Sequence, residues 1–331
     1  MFEFFILFLI NIFFIFFFKP ITNLLDCYDY PNKIRRIHKE KIAKIGGFLI
    51  ILNILVFYLI SFTINIFLKE NFFFMIVCIL FFLLGYFDDK FDINPYAKFF
   101  FQIIFLFLLV NLSNNSLINN IYISFLDNKI FLGNFNIFLS IFCYLLFINA
   151  FNMLDGINLS ASIYALIFLI FLYLHQSNII FIVIGLSILF LLIKNYQNKL
   201  FLGNNGSYLL GFVLSYFIIN INNVKIISAE EIFLAMIIPG LDMLRLYVQR
   251  IGYKKNPFKA DLNHLHHIIL KKFSYNTAIF YTICIINLPL FLSFLIKDLE
   301  KIYLIGFITI FYFLLIYLLP NDKNNTKRLK L

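Results

Sequence analysis

The chain has 331 residues, carries 27 Lys and Arg against 17 Asp and Glu for a formal charge of +10, and is 62% hydrophobic with only 13% charged residues. Its mean hydropathy is +0.92. No soluble fold of that size needs so much apolar surface, so a water-soluble globular protein is excluded in favour of a polytopic membrane protein.

The 48 Phe and the absence of Trp reflect a compositional bias and carry no functional weight. Cys27, Cys78, Cys143 and Cys284 stand singly, without the paired spacing of a metal or redox site, and read as small core hydrophobes. Residues 2–18 lack a basic leader and a small-residue cleavage site, so they read as a retained first span.

Measured against the roughly 20 residues that cross a bilayer, apolar runs lie near 2–18, 47–68, 72–87, 97–112, 137–151, 159–174, 178–193, 207–219, 232–248, 277–296 and 302–319. The expected fold is all-α and polytopic, with 10 or 11 spans, the N-terminus outside and the C-terminus cytoplasmic. Residues 1–320 form one membrane domain and 321–331 a basic tail. With eleven spans, 22 of the 27 Lys and Arg fall on the inner side, and Lys69, Lys129, Lys225, Lys297 and Lys301 on the outer, as the positive-inside rule requires. The outer loop 113–136 predicts a short hairpin around Gly133 and Asn134.

The same assignment gathers the polar chemistry at the inner face. Pro31 to Lys39 is basic, holds His38 and leads to the pair Gly46-Gly47; headgroup contact and ligand contact both fit it. Asp88 and Asp89 follow an uncharged run directly. They fit either a solvated acidic turn or a hard divalent ion, Mg²⁺ or Mn²⁺, since no Cys or His tetrad stands nearby.

Asp155, in FNMLDG at the end of the fifth span with Asn149 and Asn152, reads as a helix-ending Asp-Gly turn or as a third carboxylate for the same ion. Gly203-Asn204-Asn205-Gly206-Ser207 predicts a helix N-terminus with Ser as cap, whose free N–H groups suit a phosphate. Arg250, Lys254, Lys255 and Lys259 lead into His264, His266 and His267. That spacing does not match a helical zinc site and fits an anionic ligand better.

In order, PNKIRRIHK with IGG, GYFDDKFDI with Lys98 and Gln102, NAFNMLDG, FLGNNGSYLLGF, and IPGLDMLRLYVQRI with NPFKADLNHLHH resemble one family. It is the polyprenyl-phosphate N-acetylhexosamine-1-phosphate transferases of the MraY/WecA type, glycosyltransferase family 4, and the resemblance runs from about Pro31 to His267. The DLNHLHH form is more similar to the WecA-like branch.

The resemblance implies transfer of an N-acetylhexosamine 1-phosphate from a UDP-sugar to undecaprenyl phosphate at the cytoplasmic face of a bacterial inner membrane. UMP would be released and an envelope glycan such as O-antigen initiated. It implies Mg²⁺ or Mn²⁺ at Asp155 and Asp89, with Asp88, Asp89 and Asp155 catalytic. Substrate contacts are implied for His38, Lys98, Asn152, Asn204, Asp242, His264, His266 and His267. Membrane lipids are expected partners, a homodimer is compatible with the reading, and no nucleic acid is expected.

Two departures stand out: Asn204 where the family usually shows Asp, and Asn158-Leu159 where it shows Asp-Gly; Ala43-Lys44 likewise replaces a Pro-Arg-like pair. A phospho-N-acetylmuramoyl-pentapeptide transferase and a secondary transporter remain alternatives, the latter drawing on Asp242 and Arg245 just after Pro239.

Overall fold

The computed structural model describes residues 2–30, 41–63, 69–126, 128–224, 227–258, 262–296 and 298–319. The basic loop with His38 and the tail 321–331 lie outside the described residues. Among the described residues twelve α-helices follow in order. They are α1 (Phe2–Leu25), α2 (Gly46–Thr63), α3 (Lys69–Phe91), α4 (Pro95–Leu112), α5 (Asn136–Leu154) and α6 (Ser160–His175), then α7 (Ile179–Tyr196), α8 (Gly203–Asn223), α9 (Ala229–Gly252), α10 (Leu265–Lys272), α11 (Tyr275–Leu295) and α12 (Asp298–Leu318).

Eleven have 16 residues or more, one for each expected span, and α10 is a short eight-residue helix. Seven are long and apolar enough to cross a membrane by length and composition, and α2 and α6 are shorter apolar helices. The protein is an all-α polytopic membrane protein.

Two-stranded ribbons complete the described structure. Strands β1 (Tyr28–Asp29) and β2 (Ile42–Ala43) pair antiparallel, and Ala43 also bridges Leu200. Strands β3 (Asn120–Ile123) and β4 (Asn128–Phe131) form a hairpin. Its strands are joined by way of a 3-10 turn at Ser124–Leu126 and not at Gly133-Asn134 as expected; Gly133 instead opens a single 3-10 turn that leads into α5.

The bundle is built around α8. All but three of its 21 residues are buried, between α2, α3, α5 and α6. Aromatic side chains fill the middle, with the Phe212 ring 5.0 Å from Phe81 and 5.7 Å from Phe74. At the N-terminal end the backbones themselves meet. A Cβ at Gly85 of α3 would overlap the Asn204 carbonyl and the Asn205 Cα. Small residues at helix crossings serve this purpose in membranes, where close van der Waals contact replaces the hydrophobic drive.

Polar ties join the remaining helices. Asn11 and Asn53, both fully buried, exchange amide hydrogen bonds of 2.9 and 3.2 Å between α1 and α2. Between α9 and α12, Lys301 donates to Glu231 at 2.9 Å, and eleven residues further along each helix Tyr312 donates to Asp242 at 2.8 Å. Equal spacing on both helices means that α9 and α12 run parallel over about 16 Å. Of the four cysteines, Cys27 and Cys78 are buried as expected, but Cys284 is exposed on the outside of the bundle. Burial and then the charge of Asp89 push the Cys27 thiol up to about 12, so it is not a nucleophile.

A methyl group placed at the backbone crossing should be costly. Gly85→Ala is expected to lose about 1–3 kcal/mol or more in thermal unfolding in detergent. At Gly240, an added Cβ meets nothing within 4 Å, so Gly240→Ala should be neutral or gain about 0.5–1 kcal/mol.

Candidate active site

One end of the bundle holds the predicted polar residues. Asp88 and Asp89 lie in the last turn of α3 and not in a loop, where the helix dipole disfavours carboxylates. Both side chains are 1% exposed and fully engaged. Asp89 Oδ2 accepts the Asn205 backbone N–H at 3.0 Å and its side-chain amide at 2.7 Å, while Lys44 Nζ stands 3.4 Å from Oδ1. Asp89 thus occupies the anion position at the N-terminus of α8, which the sequence offered to a phosphate. Ser207 is not the cap, because the helix begins at Gly203, whose φ of +74° is a glycine conformation.

Asp88 is held as firmly. Its Oδ1 pairs with Lys98 Nζ at 2.8 Å and accepts the Ile93 N–H at 3.1 Å, and its Oδ2 accepts Asn204 Nδ2 at 2.9 Å. Asn204 Oδ1 in turn accepts Asn152 Nδ2 at 3.2 Å, and Ser207 Oγ accepts the same amide at 2.6 Å. An Asp at 204 could not donate to Asp88, so the departure at this position is matched to its neighbours.

Asp155 caps the C-terminal end of α5. Its carboxylate makes no hydrogen bond or ion pair among the described residues. Burial, and then the charge of Asp89, hold that carboxyl well above the usual carboxylate range, with Lys44 opposing. The second departure faces away from the cavity. Asn158 Nδ2 donates to the Asn195 carbonyl at 2.8 Å and to Asn198 at 2.7 Å. Leu159 adopts φ +71°, the conformation glycine would take at no cost, and its N–H is held by Asn195 Oδ1 at 2.9 Å.

The opposite wall comes from α9 and α10. His264 precedes α10, and His266 and His267 lie in its first turn. His264 Nδ1 is 3.0 Å from Asp242 Oδ2. The His266 ring packs on Gly156, so closely that a Cβ there would overlap it. Burial first, then the neighbouring His267 and His264, hold His266 neutral, with Asp242 opposing.

Between these walls lies a cavity of about 300 Å³. Lys98, Asn152, Asp155, His264, His266 and His267 line it, six of the residues proposed from sequence. Asp88 and Asn204 stand behind Lys98 and Asn152, Asp89 under α8, and Asp242 behind His264. Asn149 and Arg250, noted in the sequence without being assigned as substrate contacts, also line the cavity, as do Tyr208, Tyr247 and Phe258, which the sequence reading did not single out. Arg250 was detectable: eight residues after Asp242, it shares that residue's face of α9. It is 5% exposed and donates to the Pro257 carbonyl at 2.6 Å. The Phe258 ring in that turn lies 5.6, 5.8 and 5.7 Å from those of Tyr96, Phe99 and Tyr247.

An all-helical membrane bundle with a cleft of one unpaired carboxylate, cationic side chains and imidazoles at its end is the frame of a membrane enzyme for anionic substrates. Residues 71–222 match the family model for glycosyl transferase family 4, and this stretch carries α3 to α8, with Asp88, Asp89, Asp155 and Asn204. It is 28% identical over 282 residues to an undecaprenyl-phosphate alpha-N-acetylglucosaminyl 1-phosphate transferase of Escherichia coli O157:H7, covering 80% of this chain and 75% of that one. It is 27% identical to the Thermotoga maritima protein of the same description, covering 74% and 73%.

Transferases of this family generally depend on a divalent metal. Among the described residues, no three His, Cys, Asp or Glu side chains form a ready-made metal cluster. Asp155 nevertheless fits a hard cation that brings phosphate and water ligands with it, because its oxygens have no internal partner.

Removing the α8 anchor should unfold this end of the bundle. Asp89→Ala leaves the Asn205 N–H and side-chain amide without their acceptor and takes from Lys44 one of its two carboxylates, Asp29 remaining at 3.3 Å, and is expected to cost about 3–5 kcal/mol in thermal unfolding. His266 is neutral when folded, whereas the unfolded imidazole takes up a proton near 6.5. Its contribution to stability is therefore complete above about pH 6.5 and lost as pH falls further. Melting temperatures in detergent should decline from about pH 7 to about pH 5, less steeply in His266→Gln.

Proposed function

We propose that this chain transfers an N-acetylhexosamine 1-phosphate, with N-acetylglucosamine as the leading candidate, from its UDP-sugar to undecaprenyl phosphate and releases UMP. The observation that carries this is the unpartnered Asp155 carboxylate facing a cavity with Lys98, Arg250 and three imidazoles, in a chain whose residues 71–222 match this family's model. The cytoplasmic face of a bacterial inner membrane is the expected site, since 22 of 27 Lys and Arg fall on the segments assigned there.

In the reaction, an oxygen of the lipid phosphate attacks the sugar-bearing phosphorus of the donor. The bond from that phosphorus to the bridging oxygen breaks, and UMP leaves with the oxygen. The second pKa of a phosphate monoester is near 6, so the attacking group is already mostly dianionic and little base catalysis is needed. Bringing two polyanions together is the harder task. Lys98 and Arg250 offset that repulsion, and the Asp88 ion pair holds the Lys98 ammonium at the cavity edge. A divalent cation bound by Asp155 and the substrate phosphates would supply further charge neutralisation at the pyrophosphate. Asp88 is then a positioning group for Lys98.

The transporter alternative rested on Asp242 and Arg245 as midplane ionisable groups. They pair with each other at 2.8 Å and with groups behind the cavity, which supports a role in the site.

The test is UMP release by purified protein in detergent with undecaprenyl phosphate, Mg²⁺ and a panel of UDP-N-acetylhexosamines. Release should require the lipid and Mg²⁺ and fall by about 10²–10³-fold in Asp155→Ala. No release with any donor from folded protein would refute the reading. Asp88→Asn should lose most turnover without recovery at high pH; recovery would instead favour Asp88 as a general base.

A further inference from the structure

His264 reaches the cavity on a support that continues into the last helix. Asp242 takes its Nδ1 side at 3.0 Å, so the other ring nitrogen is left for the cavity. Asp242 is itself held from three directions. Its two oxygens accept the Leu265 N–H at 3.2 and 3.3 Å, and Oδ1 accepts Arg245 Nη2 at 2.8 Å and Tyr312 Oη at 2.8 Å. Arg245 closes the ring by donating Nε to Tyr312 Oη at 2.9 Å, and it donates Nη2 to the Asn263 carbonyl at 2.7 Å, beside His264.

Tyr312 is fully buried on α12 and lies outside both the cavity lining and the stretch matched by the family model. Its hydroxyl is both donor and acceptor in this ring. Packing alone would be served equally well by Phe, and an unpaired hydroxyl there would be costly. The Lys301–Glu231 pair at the far end sets the register that brings Tyr312 level with Asp242.

We propose that Tyr312 and Arg245 are positioning residues: through Asp242 they fix the orientation in which His264 meets the nucleotide-sugar donor. The proposal rests on the transferase reading above. Groups that orient a functional imidazole typically change affinity or activity by about 10–100-fold when lost.

The experiment is a double-mutant cycle of Tyr312→Phe and His264→Gln, read on the Kd of UDP-N-acetylglucosamine by calorimetry and on its KM where turnover persists. Tyr312→Phe alone should weaken donor binding about 10-fold and leave the KM for undecaprenyl phosphate within about twofold, in protein that still melts cooperatively. In the His264→Gln background it should add nothing, the non-additivity of residues acting as one unit. Equal losses in both backgrounds, or no loss in either, would overturn the proposal while wild-type turnover leaves the transferase reading intact. A wild-type protein that neither binds nor turns over the donor would overturn both.

Discussion

A carboxylate in the last turn of a helix faces the negative end of its own dipole. Asp89 is in that position, nearly without solvent, and it is stabilised by the N-terminus of α8, the positive end of the most buried helix in the molecule. The two opposed dipoles are bridged by a single side chain. Lys44 adds a cation from the segment before α2, whose backbone is itself bonded to residues 201 and 202 ahead of α8. Three chain segments distant in sequence are thereby locked at one corner, and the glycines there permit the backbones to come close enough for it.

The geometry of the cleft follows from that corner. Fixing α3 against α8 places Asp88 beside Asn204 and, one connection later, beside Lys98 of α4. Asn204 then hands the register on to Asn152 of α5, and Asp155 arrives at the cavity with its oxygens uncommitted. Among the three carboxylates, two have become structural anchors and one is available to a ligand. The asparagines at the two departures from the family pattern that the sequence resembles act as donors, at Asn204 towards Asp88 and at Asn158 towards the end of α7. A carboxylate cannot make either bond, so both positions suit the local acceptors of this chain.

The second wall depends on a different constraint. Helices α9 and α12 run parallel because two polar ties at equal spacing can be satisfied together only in that register. In a low-dielectric bundle the alternative would part Lys301 from Glu231 and Tyr312 from Asp242, and breaking a buried ion pair is costly. The histidine cluster sits on the end of that frame, with His266 neutral and packed against Gly156.

The class of the protein, its eleven long helices and the gathering of polar residues at one end were all legible in sequence. Hydropathy and charge asymmetry act locally, and the membrane imposes them on each segment separately. The ordered motifs also named six of the side chains that line the cavity. Division of labour among those residues was not legible. Asp88, Asp89 and Asp155 are chemically equivalent in sequence, and only their partners distinguish an anchor from a free carboxylate. Those partners come from 116 residues away for Asp88 and Asp89. Tyr312 was invisible for the same reason, one tyrosine among 19 in an apolar run. Which polar groups are satisfied internally, and which remain for a ligand, is a property of distances between helices and is decided by tertiary packing alone.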